Sequence, residues 1–167
     1  MYEPTAAWSL PEQLFQVSER TANDTQHDQP SSGTHALLPT PHPPNVRPTR
    51  LRPRPGGPIH AWTDLTYLLH QHRVSWGYYV VTGTEPDCQN DAALSCSPVR
   101  QNAVTASVWN PLPLFDTVNA DHQRGNIKSI TSFYSAAKNG DLPAVSWIVP
   151  SGSVSGHPPW RIIDGVP

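Results

Sequence analysis

Ser9 is the hydroxyl residue whose surroundings best suit nucleophilic chemistry on an anion. It stands in Ser9-Leu10-Pro11-Glu12, where the serine caps a helix, the proline enters the first turn and the glutamate completes a capping box. Backbone N–H groups and the helix dipole favour negative charge at this end, so a nucleophile there would attack into an anion site. The alternative is that Ser9 only caps its helix, which is the more common role of serine in this pattern.

His157 is the histidine with the most defined local backbone, because it lies in the segment SGHPP and the residue before a proline is held extended. It could donate to a phosphoryl oxygen or transfer a proton. The alternative is an ordinary exposed loop histidine. His70 and His72 are two apart and point to different sides of a helix, which makes them a poor metal pair. No motif of two carboxylates for a metal is present, since the aspartates lie in turn-like contexts.

The two cysteines, Cys88 and Cys96, lie eight apart in a polar loop. This spacing suits a local disulfide in an oxidising compartment. A structural zinc site would need two further ligands, and no other cysteine or histidine lies close by in the sequence. The first residues lack the charged and apolar regions of a secretory signal, which instead indicates the cytoplasm. The two indications disagree, so the sequence assigns no compartment.

Three helices are predicted to position these residues. The capping box predicts a helix from Ser9 to about Glu19, with an apolar stripe through Leu14 and Val17. A second helix is predicted to be capped by Thr63 and to end near residues 70–73, with a face of three leucines: Leu65, Leu68 and Leu69. The third is predicted over residues 126–138 and stops at Asn139-Gly140, with five inward residues: Ile127, Ile130, Phe133, Tyr134 and Ala137.

Two strands are predicted between these helices. Residues 74–81 are aromatic and β-branched and are closed by Thr82-Gly83, and residues 144–149 read as a buried central strand. Residues 101–121 are predicted to form an irregular packed segment. The alternation of helices and strands is typical of an α/β fold with parallel strands joined by right-handed crossovers. The loop after the second strand, residues 151–157, would then lie at the ligand-binding edge of the sheet.

The composition limits the classes of function. Proline accounts for 20 of the 167 residues, against a background of about 5%. Charged residues make up only 14%, against a background of about 25%. Much of the chain is therefore expected to be loop. Residues 37–58 carry eight prolines and four arginines, which favours a linker or surface loop over an adaptor ligand. The net charge of -2 gives no basic field for nucleic acid. No apolar run of 18 residues could span a membrane.

Several stretches, taken together and in order, resemble the bacterial phosphoesterase family that contains phospholipase C and related acid phosphatases. Its core belongs to the alkaline-phosphatase-like superfamily. The resemblance rests on five segments: MYEPTAAWSLPEQLFQVSE, AWTDLTYLLHQHRVSWGYYVVTGTEPDC, VWNPLPLFDTV, GNIKSITSFYSAAKNGDLPAVSWIVPSG and SGHPP. These segments cover most of the chain outside the Pro/Arg-rich insert.

The resemblance implies a partial alkaline-phosphatase-like sheet and a hydrolase acting on phosphoester or phospholipid substrates. Ser9 falls at the place of the family's hydroxyl, which binds a divalent metal ion and is the nucleophile or its metal-binding equivalent. His157 corresponds to the histidine of the serine-glutamate-histidine-proline motif near the bound phosphate, and Gly156 here replaces the glutamate. Intact family members usually reach the cell envelope or the exterior.

The resemblance also implies an organisation of the chain. Residues 1–36 would carry the nucleophile helix, residues 37–58 a Pro/Arg-rich loop or linker, residues 59–159 the central part of the phosphoesterase domain, and residues 160–167 a divergent tail. Two metal-binding motifs of the family, an upstream glutamate-asparagine and a downstream aspartate pair, are not in this sequence. The expectation is therefore an internal fragment with an incomplete metal site, and the alternative to an enzyme is a truncated, non-catalytic remnant or binding fragment.

Overall fold

The computed structural model describes residues 9–18, 63–86 and 97–156. Four helices are present in these ranges: α1 Ser9–Ser18, α2 Leu65–Gln71, α3 Asp116–Ala120 and α4 Ile130–Asn139. The strands are β1 Trp76–Val80, β2 Gly83–Thr84, β3 Arg100–Gln101, β4 Ile127–Ser129 and β5 Val145–Val149. This alternation of helices with strands confirms the α/β fold class.

Among the described residues, the main sheet has three parallel strands in the order β4-β1-β5. Tyr78 at the middle of β1 is in register with Ile127 of β4 and Trp147 of β5. All five residues of β1 are buried, as expected for a strand that has neighbours on both sides. The strands β2 and β3 form a separate antiparallel pair.

Strand β5 was predicted to be a buried central strand, and that part of the prediction is wrong. The strand itself is confirmed, but β1 is the central strand and β5 pairs with β1 alone among the described residues. Its burial alternates, and Ile148 is 51% exposed. The apolar run VSWIV is therefore a half-covered strand, since one of its faces meets the core and the other meets solvent.

The hydrophobic core lies on one face of the sheet. Side chains from β1 and its neighbouring strands pack against Leu14 and Val17 of α1. They also pack against three side chains of the segment over residues 101–121, namely Leu112, Phe115 and Val118. On the opposite face Phe133 of α4 packs edge-on against Tyr79 with ring centroids 5.3 Å apart. Aromatic pairs of this geometry add stability beyond their buried area, so α4 is fixed to the sheet through this contact.

Two predicted helix starts are corrected by the structure. Helix α2 is capped by Asp64 and not by Thr63, because the Asp64 carboxylate accepts the Tyr67 N–H at 3.1 Å. Leu68, which was expected on the buried face of α2, is 43% exposed. The third predicted helix begins only at Ile130, since the preceding residues form β4.

The end of α4 is as predicted, whereas two of its expected inward residues, Tyr134 and Ala137, are exposed. Gly140 caps the helix with φ 75°, the left-handed conformation in which glycine is favoured. Tyr134 was expected to face inward but is 65% exposed and packs on Phe133 instead. The described part of the chain has no helix long and apolar enough to cross a membrane.

The segment over residues 101–121 was expected to be irregular and packed, and most of it is. It also contains the short helix α3 and a 3₁₀ turn, Leu112–Leu114. The Asn110 side chain is fully buried and its amide donates to the carbonyl oxygens of Asn102 at 3.1 Å and Thr105 at 3.2 Å. These bonds hold the loop closed where no regular structure satisfies its carbonyl groups.

Candidate active site

The candidate site lies at the carboxyl edge of the parallel sheet. Because the strands are parallel, β1 ends there at Val80, β4 at Ser129 and β5 at Val149. In open α/β sheets ligands bind outside this edge. The chain segments that leave it are residues 81–84 after β1 and residues 150–156 after β5.

Gln101 joins the ends of β1 and β5. Its side chain is fully buried, and its amide nitrogen donates to the Val81 carbonyl oxygen at 3.0 Å and to the Pro150 carbonyl oxygen at 2.8 Å. Both carbonyl groups belong to the residue just past a strand end. A single buried amide therefore sets the spacing of the two segments at the start of the candidate site.

Gly83 and Ser151 bring the same two segments into contact. A Cβ atom at Gly83 would lie 2.9 Å from Ser151 Cβ and 3.1 Å from Ser151 Oγ, so only glycine fits without displacing the neighbour. Ser151 is buried, and its hydroxyl lies 3.2 Å from the hydroxyl of Ser153. The loop after β5 is thus packed against the segment after β1 from its first residue.

A 3₁₀ turn over Gly152–Val154 carries the chain onward from this contact. The Ser155 hydroxyl is buried and donates to the Gly152 carbonyl oxygen at 3.2 Å. Gly156 is the last described residue of this loop, and it is exposed. His157 lies outside the described residues, so its predicted role near a phosphate stays a prediction.

Ser9 begins α1, as the capping box predicted. The helix is anchored through Leu14 and Val17, which are 4% and 0% exposed. The position of the Ser9 side chain is outside what the structure describes, and so are Cys88, Cys96 and residues 37–58. The proximity of Ser9 to His157, the assignment of Ser9 as the nucleophile and the disulfide between Cys88 and Cys96 therefore stay predictions.

A layer of buried polar groups supports the carboxyl edge from the side of β1. The Tyr78 hydroxyl donates to the Trp109 carbonyl oxygen at 3.1 Å. The backbone N–H of Trp109 donates to a carboxylate oxygen of Glu85 at 3.4 Å. Burial raises the pKa of Tyr78, so the phenol stays protonated as a donor at any physiological pH. Glu85 itself is 7% exposed and lies two residues after Gly83.

Three buried polar residues were missed by the sequence reasoning: Gln101, Glu85 and Asn110. Each lies in a stretch rich in turn-forming residues where a polar side chain is expected to be exposed. The contacts of Gln101 cross 20 and 49 residues of sequence. Since no local pattern encodes such contacts, the buried state of these residues was not detectable from spacing.

The described residues do not form a metal cage. Within residues 9–18, 63–86 and 97–156, no group of three histidine, cysteine, aspartate or glutamate side chains is placed to hold a metal ion. The buried carboxylate of Asp64 is used structurally, since it accepts hydrogen bonds from the hydroxyl groups of Thr66 and Thr117. The Thr117 bond ties the cap of α2 to α3, and the Thr66 bond lies within the first turn of α2.

The sheet and its carboxyl-edge loops define an α/β protein of the type that binds ligands outside the ends of its strands. The chain belongs to the phosphoesterase family, whose model matches residues 3–166. This family membership supports a hydrolase function on phosphoester bonds. No curated protein and no solved structure matches the chain significantly.

Proposed function

We propose that this chain is a phosphoesterase of the phospholipase C type that uses Ser9 as its nucleophile. The observation that carries the proposal is the family match over residues 3–166. The start of α1 at Ser9 supports it, because the first turn of a helix presents unpaired N–H groups to an anion. A phosphoester held there would have its phosphorus atom next to the serine hydroxyl.

In the proposed reaction the Ser9 oxygen attacks phosphorus and loses its proton. The bond from phosphorus to the ester oxygen breaks, and the leaving alkoxide takes up a proton to depart as the alcohol. Water then hydrolyses the phosphoserine, which releases the phosphate product and restores the hydroxyl. The two steps consume one water molecule and leave the enzyme unchanged.

His157 is proposed to donate a hydrogen bond to a non-bridging phosphoryl oxygen or a proton to the leaving oxygen. The segment that leads to it is held by Gln101 and by the packing of Ser151 on Gly83. Gly156 stands directly before the histidine, where the family pattern has a glutamate. A glycine provides no side chain to orient the imidazole, so the His157 contribution is expected to be smaller than a fixed histidine would give.

A divalent metal ion is part of the proposal through the family, and it would offset the negative charge that develops on phosphorus oxygens. The side chains in the described ranges do not make up its site. The steps above therefore assign roles only to residues of this chain. Metal dependence is tested by assaying the protein before and after treatment with a chelator, followed by addition of single divalent ions.

The test of the nucleophile is hydrolysis of a p-nitrophenyl phosphodiester and of phosphatidylcholine by the whole chain. Ser9→Ala is expected to reduce kcat by about a thousandfold or more, as for other catalytic nucleophiles. Ser9→Asn is the sharper variant, because asparagine also caps helices but has no hydroxyl. Ser135→Ala, at an exposed serine of α4, is the matched control and should retain activity.

Two results would count against the proposal. If Ser9→Asn turned over substrate at the wild-type rate, Ser9 would not be the nucleophile. If the wild-type chain unfolded cooperatively but hydrolysed neither substrate with any divalent ion, the non-catalytic alternative would be favoured. Cooperative unfolding separates this second result from a failure to fold.

A further inference from the structure

A polar cleft lies at the amino edge of the sheet, at the opposite end of β1 from the candidate active site. It has a volume of about 260 Å³ and is formed by the end of α2, the start of β1 and the turn before β4. Pockets for drug-sized ligands occupy about 300–1,000 Å³. The cleft therefore suits a small ion or the charged end of a larger molecule.

The charged side chain that lines the cleft is cationic. Arg73 lines it together with His70, and no carboxylate is among its described lining residues. Neither side chain has a hydrogen-bond or ion-pair partner among the described residues. An unpaired guanidinium offers a planar fork of N–H donors that matches the oxygens of a carboxylate or a phosphate.

Trp76 adds a donor with no partner. It lines the same cleft and is 4% exposed, yet its indole Nε1–H has no acceptor in the described part of the chain. Buried N–H groups are nearly always hydrogen-bonded, and each exception needs an explanation. Because the Nε1 atom itself is closed off from solvent, the indole is placed to report on an anion in the cleft and is not one of its ligands.

The wall opposite these donors is fixed by its own hydrogen bonds. The Asn126 amide donates to Gln123 Oε1 at 2.9 Å, and the Gln123 amide donates to the Asp121 carbonyl oxygen at 3.0 Å. Gln123 Oε1 is occupied by this chain of bonds. Of the two side-chain amide oxygens in the wall, only that of Asn126 has no described partner. No described side chain of this wall accepts a hydrogen bond from the Arg73 guanidinium.

We propose that this cleft binds an oxyanion, either the phosphate or the carboxylate group of a small molecule, through the side chains of His70 and Arg73. The site is separate from the candidate active site, because it lies at the other end of the strands. It does not depend on the proposed hydrolase activity. Its ligand class follows from donors without partners and from the lack of a carboxylate among the described lining residues.

The test is a titration of the whole ¹⁵N-labelled chain with inorganic phosphate and, separately, with acetate. Binding is monitored through the NMR signals of the indole N–H groups. Trp76→Phe identifies the Trp76 signal. We expect this signal to shift in a saturable way with at least one of the two anions. Sodium chloride at matched ionic strength should cause no comparable saturable shift, since chloride cannot accept from the fork in the same geometry.

The decisive variant is Arg73→Asn. Arg73 has φ 55°, a conformation that asparagine adopts more readily than most residues, so the substitution removes the charge without straining the turn. We expect at least tenfold weaker anion binding. Arg100→Asn makes the same charge change at an exposed residue of β3 outside the cleft and should retain the wild-type affinity.

The outcomes separate cleanly. Saturable binding that is lost in Arg73→Asn and kept in Arg100→Asn supports the site, and the anion that saturates distinguishes phosphate from carboxylate. A shift that saturates with neither anion would overturn the proposal. Equal loss in the two arginine variants would also overturn it, because the effect would then reflect the net charge of the protein.

Discussion

The two ends of the β1–β5 pair are joined in different ways. At the carboxyl end the buried Gln101 amide donates to a carbonyl group from each strand's continuation, at 3.0 and 2.8 Å. At the amino end the exposed Ser75 hydroxyl accepts the Ala144 N–H at 3.0 Å. The same pair of strands is therefore closed by a buried group at one end and by a solvent-exposed group at the other.

This difference indicates which end is built for precision. A buried donor cannot exchange its partners for water, so the positions of Val81 and Pro150 are fixed together. An exposed hydroxyl can exchange its bond with solvent at little cost. Sites that need fixed geometry are best supported by buried hydrogen bonds, which favours the carboxyl end as the site of chemistry and leaves the amino end open for reversible binding.

Gln101→Ala tests the buried closure and should have the largest effect on stability. It leaves two carbonyl groups without their donor and a void in place of the side chain, and a buried polar group without a partner costs about 1–3 kcal/mol. We expect a loss of about 2–4 kcal/mol in the free energy of unfolding, measured by urea denaturation. If the hydrolase proposal holds, kcat should fall as well, because the loop towards His157 loses its anchor.

Gln16→Ala is the control for this substitution. Gln16 is an exposed residue of α1, and exposed substitutions of this kind change stability by about 0.5 kcal/mol or less. Gln101→Glu refines the result, since it keeps the shape but places carboxylate oxygens against two carbonyl oxygens. A Gln101→Ala variant as stable as Gln16→Ala would show that the buried bonds do not hold this end together.

Gly83→Ala tests the close approach at the carboxyl end. The new methyl group would lie 2.9 Å from Ser151 Cβ, and forcing extra volume into a packed contact costs about 1–3 kcal/mol. Gly125→Ala is the matched change at the amino end, where an added Cβ meets nothing within 4 Å. We expect Gly83→Ala, and not Gly125→Ala, to lower the midpoint temperature of thermal unfolding. If the two variants lowered the unfolding temperature equally, the two ends of the sheet would not differ in how tightly they are packed.

The parts of the fold that were predictable are those encoded by neighbouring residues. The aromatic and β-branched run of β1 and the Asn139-Gly140 stop of α4 were both identified, because each depends on local conformational preference. The start of α1 at Ser9 follows in the same way from its capping box. Where a local rule and the tertiary structure agree, spacing in the sequence was sufficient.

The errors occur where long-range pairing overrides the local pattern. Ile127 was assigned to a helix, but it pairs with Tyr78 across 49 residues and lies in β4. The helical pattern of the following residues extends backward through Ile127 without a break, so periodicity alone could not place the boundary. The exposed face of β5 has the same origin, since burial of Ile148 depends on what covers the sheet and not on its own sequence.

The candidate site was predictable only in its location. The strand-to-loop junction after β5 was identified as a place for function, and the structure confirms that it lies at the carboxyl edge of a parallel sheet. Gln101 could not be found, because its partners are distant in sequence and glutamine is usually exposed. The roles of Ser9 and His157 rest on their local sequence and on family resemblance, and they stay predictions.

The smallest expected effect is that of Ser75→Ala, which removes the exposed bond at the amino end. Water can replace the lost hydroxyl at the Ala144 N–H, so the free energy of unfolding should change by less than about 0.5 kcal/mol. The double variant with Gln101→Ala sharpens the comparison. The two closures involve Ser75 and Val81, which flank a five-residue strand and lie roughly 20 Å apart at about 3.3 Å per residue, so their effects should add. A combined loss that exceeds the sum by more than about 0.5 kcal/mol would mean that the two ends act as one closure, and that the exposed end also helps to fix the site.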